Sequence, residues 1–350
     1  MMNSITIGNT RVGDGHPCYI VAEMSANHHQ SYERAIEILY AAKESGADAV
    51  KVQTYRPDTL TLDCDNKHFR IEEGPWAGQT LFELYEKAYM PWEWHEGLLK
   101  EAESLGMALF SSPFDVTAVD FLEQVGVKAY KVASFELVDT PLVEHLASKG
   151  KPVMLSTGMS TLGEIDRAVS AIRKNGNSQI ILLKCVSAYP AKPEAMNLRT
   201  IRNMAEVFAC PVGLSDHSLG SEVAVCAVAL GACVVEKHFT LSRRETGPDS
   251  GFSMEPDEFR NMVDAIRGAE KAMGEVSYQV TPDESKQRIF RRSLFVVRDV
   301  QAGEKVASDN VRSIRPASGL PPHYLERILG RPFRRSVSRG TPVTLDLIDF

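Results

Sequence analysis

Eight times in its first 274 residues the chain repeats one pattern, a short β-rich segment that ends on polar residues and gives way to an amphipathic stretch. The β-rich segments are "CYIVAEMS" (18–25), "AVKVQTY" (49–55), "MALFSSPF" (107–114), "AYKVASFE" (129–136), "PVMLSTGM" (152–159), "IILLKCVSAY" (180–189), "CPVGLSDHS" (210–218) and "CVVEKHF" (233–239). Between them lie stretches such as "SYERAIEILYAAKESG", "TPLVEHLASKG" and "TLGEIDRAVSAIRKNG", with helical apolar spacing and a closing Gly. Strands alternating with helices build a parallel sheet covered by helices, and eight such units predict a (β/α)8 TIM barrel over 1–274. A barrel of this kind carries its site at the C-terminal ends of its strands, where the polar residues of these segments fall.

After Gly274 the rhythm stops. Residues 275–290 read as a polar linker, and 291–350 offer short β segments, two Gly-centred turns and one brief helix. A module that small has little core of its own and is expected to lean on a partner. A long insertion, "RPDTLTLDCDNKHFRIEEGPWAGQTLFELYEKAYMPWEWH", separates the second and third β segments; a connection of that length is often a lid or substrate wall. Net charge of −7 argues against nucleic acid or an anionic membrane as the main partner and for a small ligand. The start "MMNSITIGNTRVG" shows no secretory pattern and the longest apolar run, 223–235, is too short to span a bilayer, so a cytoplasmic protein is expected. Six cysteines without a CxxC pair are expected to be buried reduced thiols.

"VGLSDHS" (212–218) invites a hydrolytic triad, yet on a strand Ser215 and His217 share one face while Asp216 leaves on the other. Three consecutive extended residues cannot place a base between nucleophile and orienter. In a barrel His217 ends the seventh strand and His238 the eighth, so the two imidazoles become neighbours, a geometry suited to Mn²⁺, Fe²⁺, Co²⁺ or Zn²⁺ with water and substrate completing the sphere. The alternative is a pair of hydrogen-bonded rim histidines.

Lys51 and Gln53 share a face of the second strand and Ser134 and Glu136 a face of the fourth, while Ser112, Ser156, Ser187 and Ser215 cap strands. A ring of hydroxyls with a lysine suits phosphate, although any one of these serines is individually a commonplace turn residue. Lys131, Lys184 and Lys237 raise a rival, a Schiff-base aldolase. Parity turns Lys184 and Lys237 outward, and brings Lys131 into the site only if a bulge intervenes or its strand has already ended. Glu23, Asn27 and His28 follow the first strand and Asp249 the eighth; they serve sugar hydroxyls or proton transfer, or else are helix caps and solvated charge. A non-catalytic carbohydrate-binding protein remains a further alternative.

"AEMSANH", "KVQTY", "FSSPFD", "YKVASFE", "LSTGM", "CVSAYPAKPEAMNL", "GLSDHS", "EKHF" and "GPDSGFSMEP", in this order, resemble the sialic acid synthase family, and "RSIRPASGLPP" resembles its C-terminal antifreeze-protein-like (SAF, β-clip) domain. "FSSPFD", "ASFELVD", "PWEWH" and "RRSLFVVRDV" are more similar to the pseudaminate branch than to the N-acetylneuraminate branch, which tends to carry Asn at the place of Ser187 and Gly at that of Phe135. The resemblance implies condensation of phosphoenolpyruvate with an open-chain amino sugar, for the pseudaminate branch 2,4-diacetamido-2,4,6-trideoxy-L-altrose, with release of phosphate; an N-acetylneuraminate or legionaminate precursor is the alternative substrate. It implies a divalent ion, Mn²⁺ with Mg²⁺ or Co²⁺ as substitutes, on His217 and His238. It implies a phosphoenolpyruvate grip by Lys51, Ser112, Lys131, Ser134, Ser156, Ser187 and Ser215, and proton handling by Glu136. Glu23, Gln53, Tyr189 and Asp249 match sugar-side positions, and Arg315 an arginine delivered across a domain-swapped homodimer.

Overall fold

The computed structural model describes residues 4–74 and 76–350. By its internal contacts the chain divides into a first unit that ends at Gly274 and a second, Glu275–Phe350. The first opens with an antiparallel hairpin, β1 (Ile5–Ile7) and β2 (Thr10–Val12). Eight parallel strands follow: β3 (Tyr19–Glu23), β4 (Ala49–Thr54), β5 (Ala108–Pro113), β6 (Tyr130–Val132), β7 (Val153–Ser156), β8 (Ile180–Cys185), β9 (Val212–Asp216) and β10 (Val234–His238). They pair in chain order, and β10 closes on β3 with Val234 opposite Tyr19 and His238 opposite Glu23. The expected TIM barrel is therefore present, and each of the eight anticipated segments contains one strand. The strands are shorter than those segments, because their polar ends leave the ladder to form the rim.

The strands are near-continuous apolar runs because both of their faces are covered. Outward residues such as Ile20, Val50 and Leu109 pack beneath the helix Tyr32–Glu44, which buries Ala35, Ile38, Leu39 and Ala42, and the helix Pro256–Met273. The other half of the barrel is covered by helices that include Leu162–Lys174, started by a Thr161–Glu164 capping box. Inward residues Val21, Phe110, Met154, Ile181 and Leu183 fill the barrel, and Ile5, Ile7 and Val12 of the hairpin stopper its floor. Gly213 is fixed by this filling, since a Cβ there would lie 2.6 Å from the Val234 carbonyl oxygen and 2.8 Å from Leu183 Cδ2.

The long insertion carries a single helical turn at Pro57–Leu60 and a helix at Leu81–Ala88 with its own capping box. In the second unit residues 275–290 are not linker throughout: Thr281 and Glu284 form a capping box that starts a short helix, Pro282–Gln287. Beyond it β11 (Ser293–Val296) pairs antiparallel with β12 (Val311–Ile314) over a core of its own, including Leu294, Val311, Phe333 and Ile348. All six cysteines are free; four are buried, but Cys226 is exposed and Cys64 only half-buried. Among the described residues no helix is long and apolar enough to cross a membrane.

Candidate active site

The mouth of the barrel opens into a cavity of about 380 Å³ walled by strand ends and by the insertion. Lys51, Gln53, Lys131, Ser134, Glu136 and Ser156 line one side of the strand order. Tyr189, Ser215, His217, His238 and Asp249 continue the ring.

Parity explains most of this arrangement. On β9 and β10, Ser215 and Glu236 point inward and are bonded at 3.0 Å, while Asp216 and Lys237 point outward and pair at 2.7 Å. Asp216, the residue that made "SDHS" look like a triad, thus serves a buried ion pair on the helix side of the barrel. Lys131 enters the cavity because β6 ends at Val132, so the alternation that would oppose it to Ser134 and Glu136 has already stopped. Lys184 does not enter; it is half-buried and its ammonium donates to the Cys185 carbonyl.

Two ammonium groups sit among hydroxyls. Lys51 Nζ lies 3.1 Å from Glu23, 3.2 Å from Glu236 and 3.4 Å from Ser112 Oγ, and Lys131 Nζ donates to Ser156 Oγ at 2.7 Å. Burial alone would weaken the Lys51 ammonium, but Glu23 and Glu236 outweigh it and hold the pKa above its ordinary value. Lys131 lacks such close carboxylates, and burial pulls it down to about 8. Between the lysines Glu236 stays below the usual carboxylate range despite burial, through Lys131 and Lys51, whereas burial raises Glu23. Burial also raises Glu136, to about 7, and its Oε2 is buried without a partner.

The two imidazoles face each other with centroids 5.4 Å apart. His217 Nδ1 donates to the Val186 carbonyl at 2.9 Å, and His238 Nδ1 is buried without a partner. Burial keeps His238 neutral, the form that binds metals. Among the described residues no group of three or more His, Cys, Asp or Glu side chains could hold an ion, so the donor set suits one shared with water and substrate.

Other anticipated residues sit nearby or elsewhere. Glu23 and Ser112 do not line the cavity but touch Lys51, and Glu23 also accepts from Gln53 at 3.0 Å. Gln53 further donates to Ser25, which hydrogen-bonds Asp249. Ser187 does not line the cavity; its Oγ lies beside Gly158, whose amide donates to Ser134 Oγ. Asn27 and His28 are buried structural groups: Asn27 donates to the Phe239 carbonyl and His28 packs edge-on against Trp94. Arg315 belongs to the second unit, at the end of β12. Glu236 was not anticipated as a site residue, although its shared face with His238 was legible. Trp76 was missed too: it stacks obliquely on Tyr189 at 5.6 Å and donates to the Pro248 carbonyl at 2.8 Å, and no local pattern marks it out within the insertion.

Known proteins similar in sequence and fold point one way. Residues 38–278 match the NeuB family and residues 291–349 the SAF domain. The chain is 44% identical to the pseudaminic acid synthase of Helicobacter pylori, over 95% of this chain and 98% of that protein. It is 37% identical to the N,N'-diacetyllegionaminic acid synthase of Legionella pneumophila, over 96% of each. The crystal structure of an N-acetylneuraminic acid synthetase from Leptospira borgpetersenii superposes with a TM-score of 0.74 at 31% identity, covering 82% of this chain and 95% of that one. The family model, the C-terminal domain and the relatives together cover most of the chain, which belongs to the NeuB family of sialic acid synthases.

Proposed function

We propose that this chain condenses phosphoenolpyruvate with 2,4-diacetamido-2,4,6-trideoxy-L-altrose and water to give pseudaminic acid and phosphate. The observation that carries the reading is the placement of an anion cradle, Lys51 and Lys131 with Ser134, Ser156 and Ser215, on the same cavity as two facing imidazoles. The Helicobacter pylori relative, 44% identical, is named pseudaminic acid synthase, which supports the reading.

The reaction forms a bond between carbon 3 of phosphoenolpyruvate and the sugar aldehyde carbon, leaving an oxocarbenium at carbon 2. Water adds there, and the resulting hemiketal phosphate loses phosphate by carbon–oxygen cleavage. A divalent ion, Mn²⁺ with Mg²⁺ or Co²⁺ as substitutes, held by His217 and His238, would supply polarisation of the aldehyde oxygen and orientation of the water. The chain's own groups do the rest. Lys51 and Lys131 balance the phosphate charge, in a buried setting where charge is poorly screened. Ser156 accepts from Lys131 and so keeps its own proton to donate to a phosphate oxygen. Glu136, with one oxygen unpartnered, takes the proton of the adding water. Tyr189, Gln53 and Asp249 bind the sugar.

In the same reading the working form is a cytoplasmic domain-swapped homodimer in which the partner subunit's Arg315 reaches the sugar; sedimentation checks the dimer. The deciding experiment is phosphate release from phosphoenolpyruvate with Mn²⁺ and each of three precursors. Turnover with the diacetamido altrose sugar supports the reading. Preference for N-acetylmannosamine, or phosphate release without any sugar, overturns it.

A further inference from the structure

The cavity is chemically two-sided. Its ammonium, carboxylate and imidazole groups all come from strand ends and from the loop that carries Asp249, whereas the insertion contributes no ionised side chain among its described residues. What it contributes is Leu60, Ile71, Trp76, Leu81, Leu84, Tyr85 and the small Ala88. Tyr55, at the end of β4, joins this wall by edge contacts with Tyr85 at 5.7 Å and with Phe114 at 5.2 Å. The wall is tied in place at both ends: Trp92 Nε1 donates to the Tyr55 carbonyl at 3.1 Å, and Trp76 Nε1 to the Pro248 carbonyl at 2.8 Å. The apolar side chains therefore form a fixed surface of the cavity on which the insertion presents no charge to a substrate.

That surface is wrong for a polyhydroxylated chain and right for methyl groups. A hydroxyl pressed against leucine and isoleucine loses its water without gaining a partner, while a methyl there gains burial. Tyr55 and Tyr85 are neutral phenols, and burial raises their pKa further, so each has one hydroxyl to bond an amide carbonyl. We infer that the insertion-built wall is the specificity subsite of this enzyme, taking a sugar tail that ends in a deoxy methyl and an acetamido methyl and rejecting the tail with a hydroxyl at the terminal carbon. The inference rests on the condensation proposed above and deepens it by assigning substrate choice to named side chains.

A hydrophobic pocket discriminates an added hydroxyl by about 10²-fold at most, and that sets the expected effect. The test compares kcat/KM for phosphate release with 2,4-diacetamido-2,4,6-trideoxy-L-altrose and with its 6-hydroxy analogue, 2,4-diacetamido-2,4-dideoxy-L-altrose, in the wild-type chain and in Leu60→Asn and Leu84→Asn. Wild type is expected to favour the deoxy sugar by about 10²-fold, and each variant to narrow that ratio by about tenfold, through KM for the sugar with KM for phosphoenolpyruvate unmoved. Leu60 is only half-buried, so its variant stays folded and reads the subsite even if Leu84→Asn does not. A ratio that the variants leave unchanged, or equal losses on both sugars, overturns the subsite while the condensation stands. Absence of phosphate release with either sugar in the wild type removes the condensation reading itself, and the subsite with it.

Discussion

Lys237 and Asp216 form an ion pair with Nζ 2.7 Å from Oδ2, each residue adjacent in sequence to one of the two facing imidazoles. Both side chains are at most 1% exposed, and Lys237 also donates to the Ser218 carbonyl while Ser218 Oγ donates to Asp216. The pair locks β9 to β10 on the side away from the cavity. Lys237→Met leaves a buried carboxylate without its cation and is expected to cost about 3–5 kcal/mol. Adding Asp216→Leu is expected to recover most of that loss. Urea unfolding of the two variants checks this, and a single-variant loss below about 1 kcal/mol, the size of a surface pair, contradicts it.

The rate of condensation should be bell-shaped in pH. Glu136 works as a base only when ionised, so activity grows as pH rises through about 7; Lys131 grips phosphate only as the ammonium, so activity falls as pH rises through about 8. Glu136→Gln is expected to lower kcat by about 10²–10⁴-fold and to flatten the acidic limb, leaving the alkaline one. An acidic limb unchanged in the variant rules Glu136 out. Borohydride with pyruvate is expected to label nothing, whereas a trapped adduct on Lys131 would indicate Schiff-base chemistry instead.

Gly158 is held by what surrounds it. A Cβ there would come 2.2 Å from Ser187 Oγ and 2.7 Å from Ser134 Oγ, so Gly158→Ala must displace both hydroxyls. Because displacements of about 1 Å cost about 10²-fold, kcat/KM for phosphoenolpyruvate is expected to fall on that scale while the unfolding midpoint moves little. Unaltered kinetics would separate both serines from the phosphate site.

Metal dependence has a direct readout. Calorimetric titration with Mn²⁺ is expected to show His238→Ala weakening binding by at least about 10²-fold, the upper scale for losing a group that only orients a ligand. EDTA is expected to abolish phosphate release, and Mn²⁺ to restore it. Undiminished Mn²⁺ affinity in the variant would place the ion elsewhere.

The barrel was legible because its signal is repeated and local: eight apolar runs of strand length, each followed by a helical pattern, admit few closures. Strand parity then placed Ser215 and His217 inward and Asp216 and Lys237 outward. Lys131 was not decidable from parity alone, since the answer turned on where β6 stops, and strand ends are set by tertiary pairing rather than by the residues themselves. Asn27 and His28 illustrate the opposite failure. Polar residues just past a strand resemble ligands in sequence, yet these two are buried away from the cavity, Asn27 bonded to the Phe239 carbonyl and His28 packed edge-on against Trp94. The helix inside 275–290 was hidden by composition, because a capping box in a polar stretch can start a turn that no apolar face stabilises.

The insertion between β4 and β5 gives this scaffold an evolutionary division of labour. Bond-making groups sit on strands whose other face is committed to the helical shell, so they are hard to change without loss of the fold. The wall facing them hangs on one connection that neither pairs with the barrel sheet nor closes it. A lineage can therefore trade one sugar for another by rewriting about forty contiguous residues, with the bond-making groups inherited untouched.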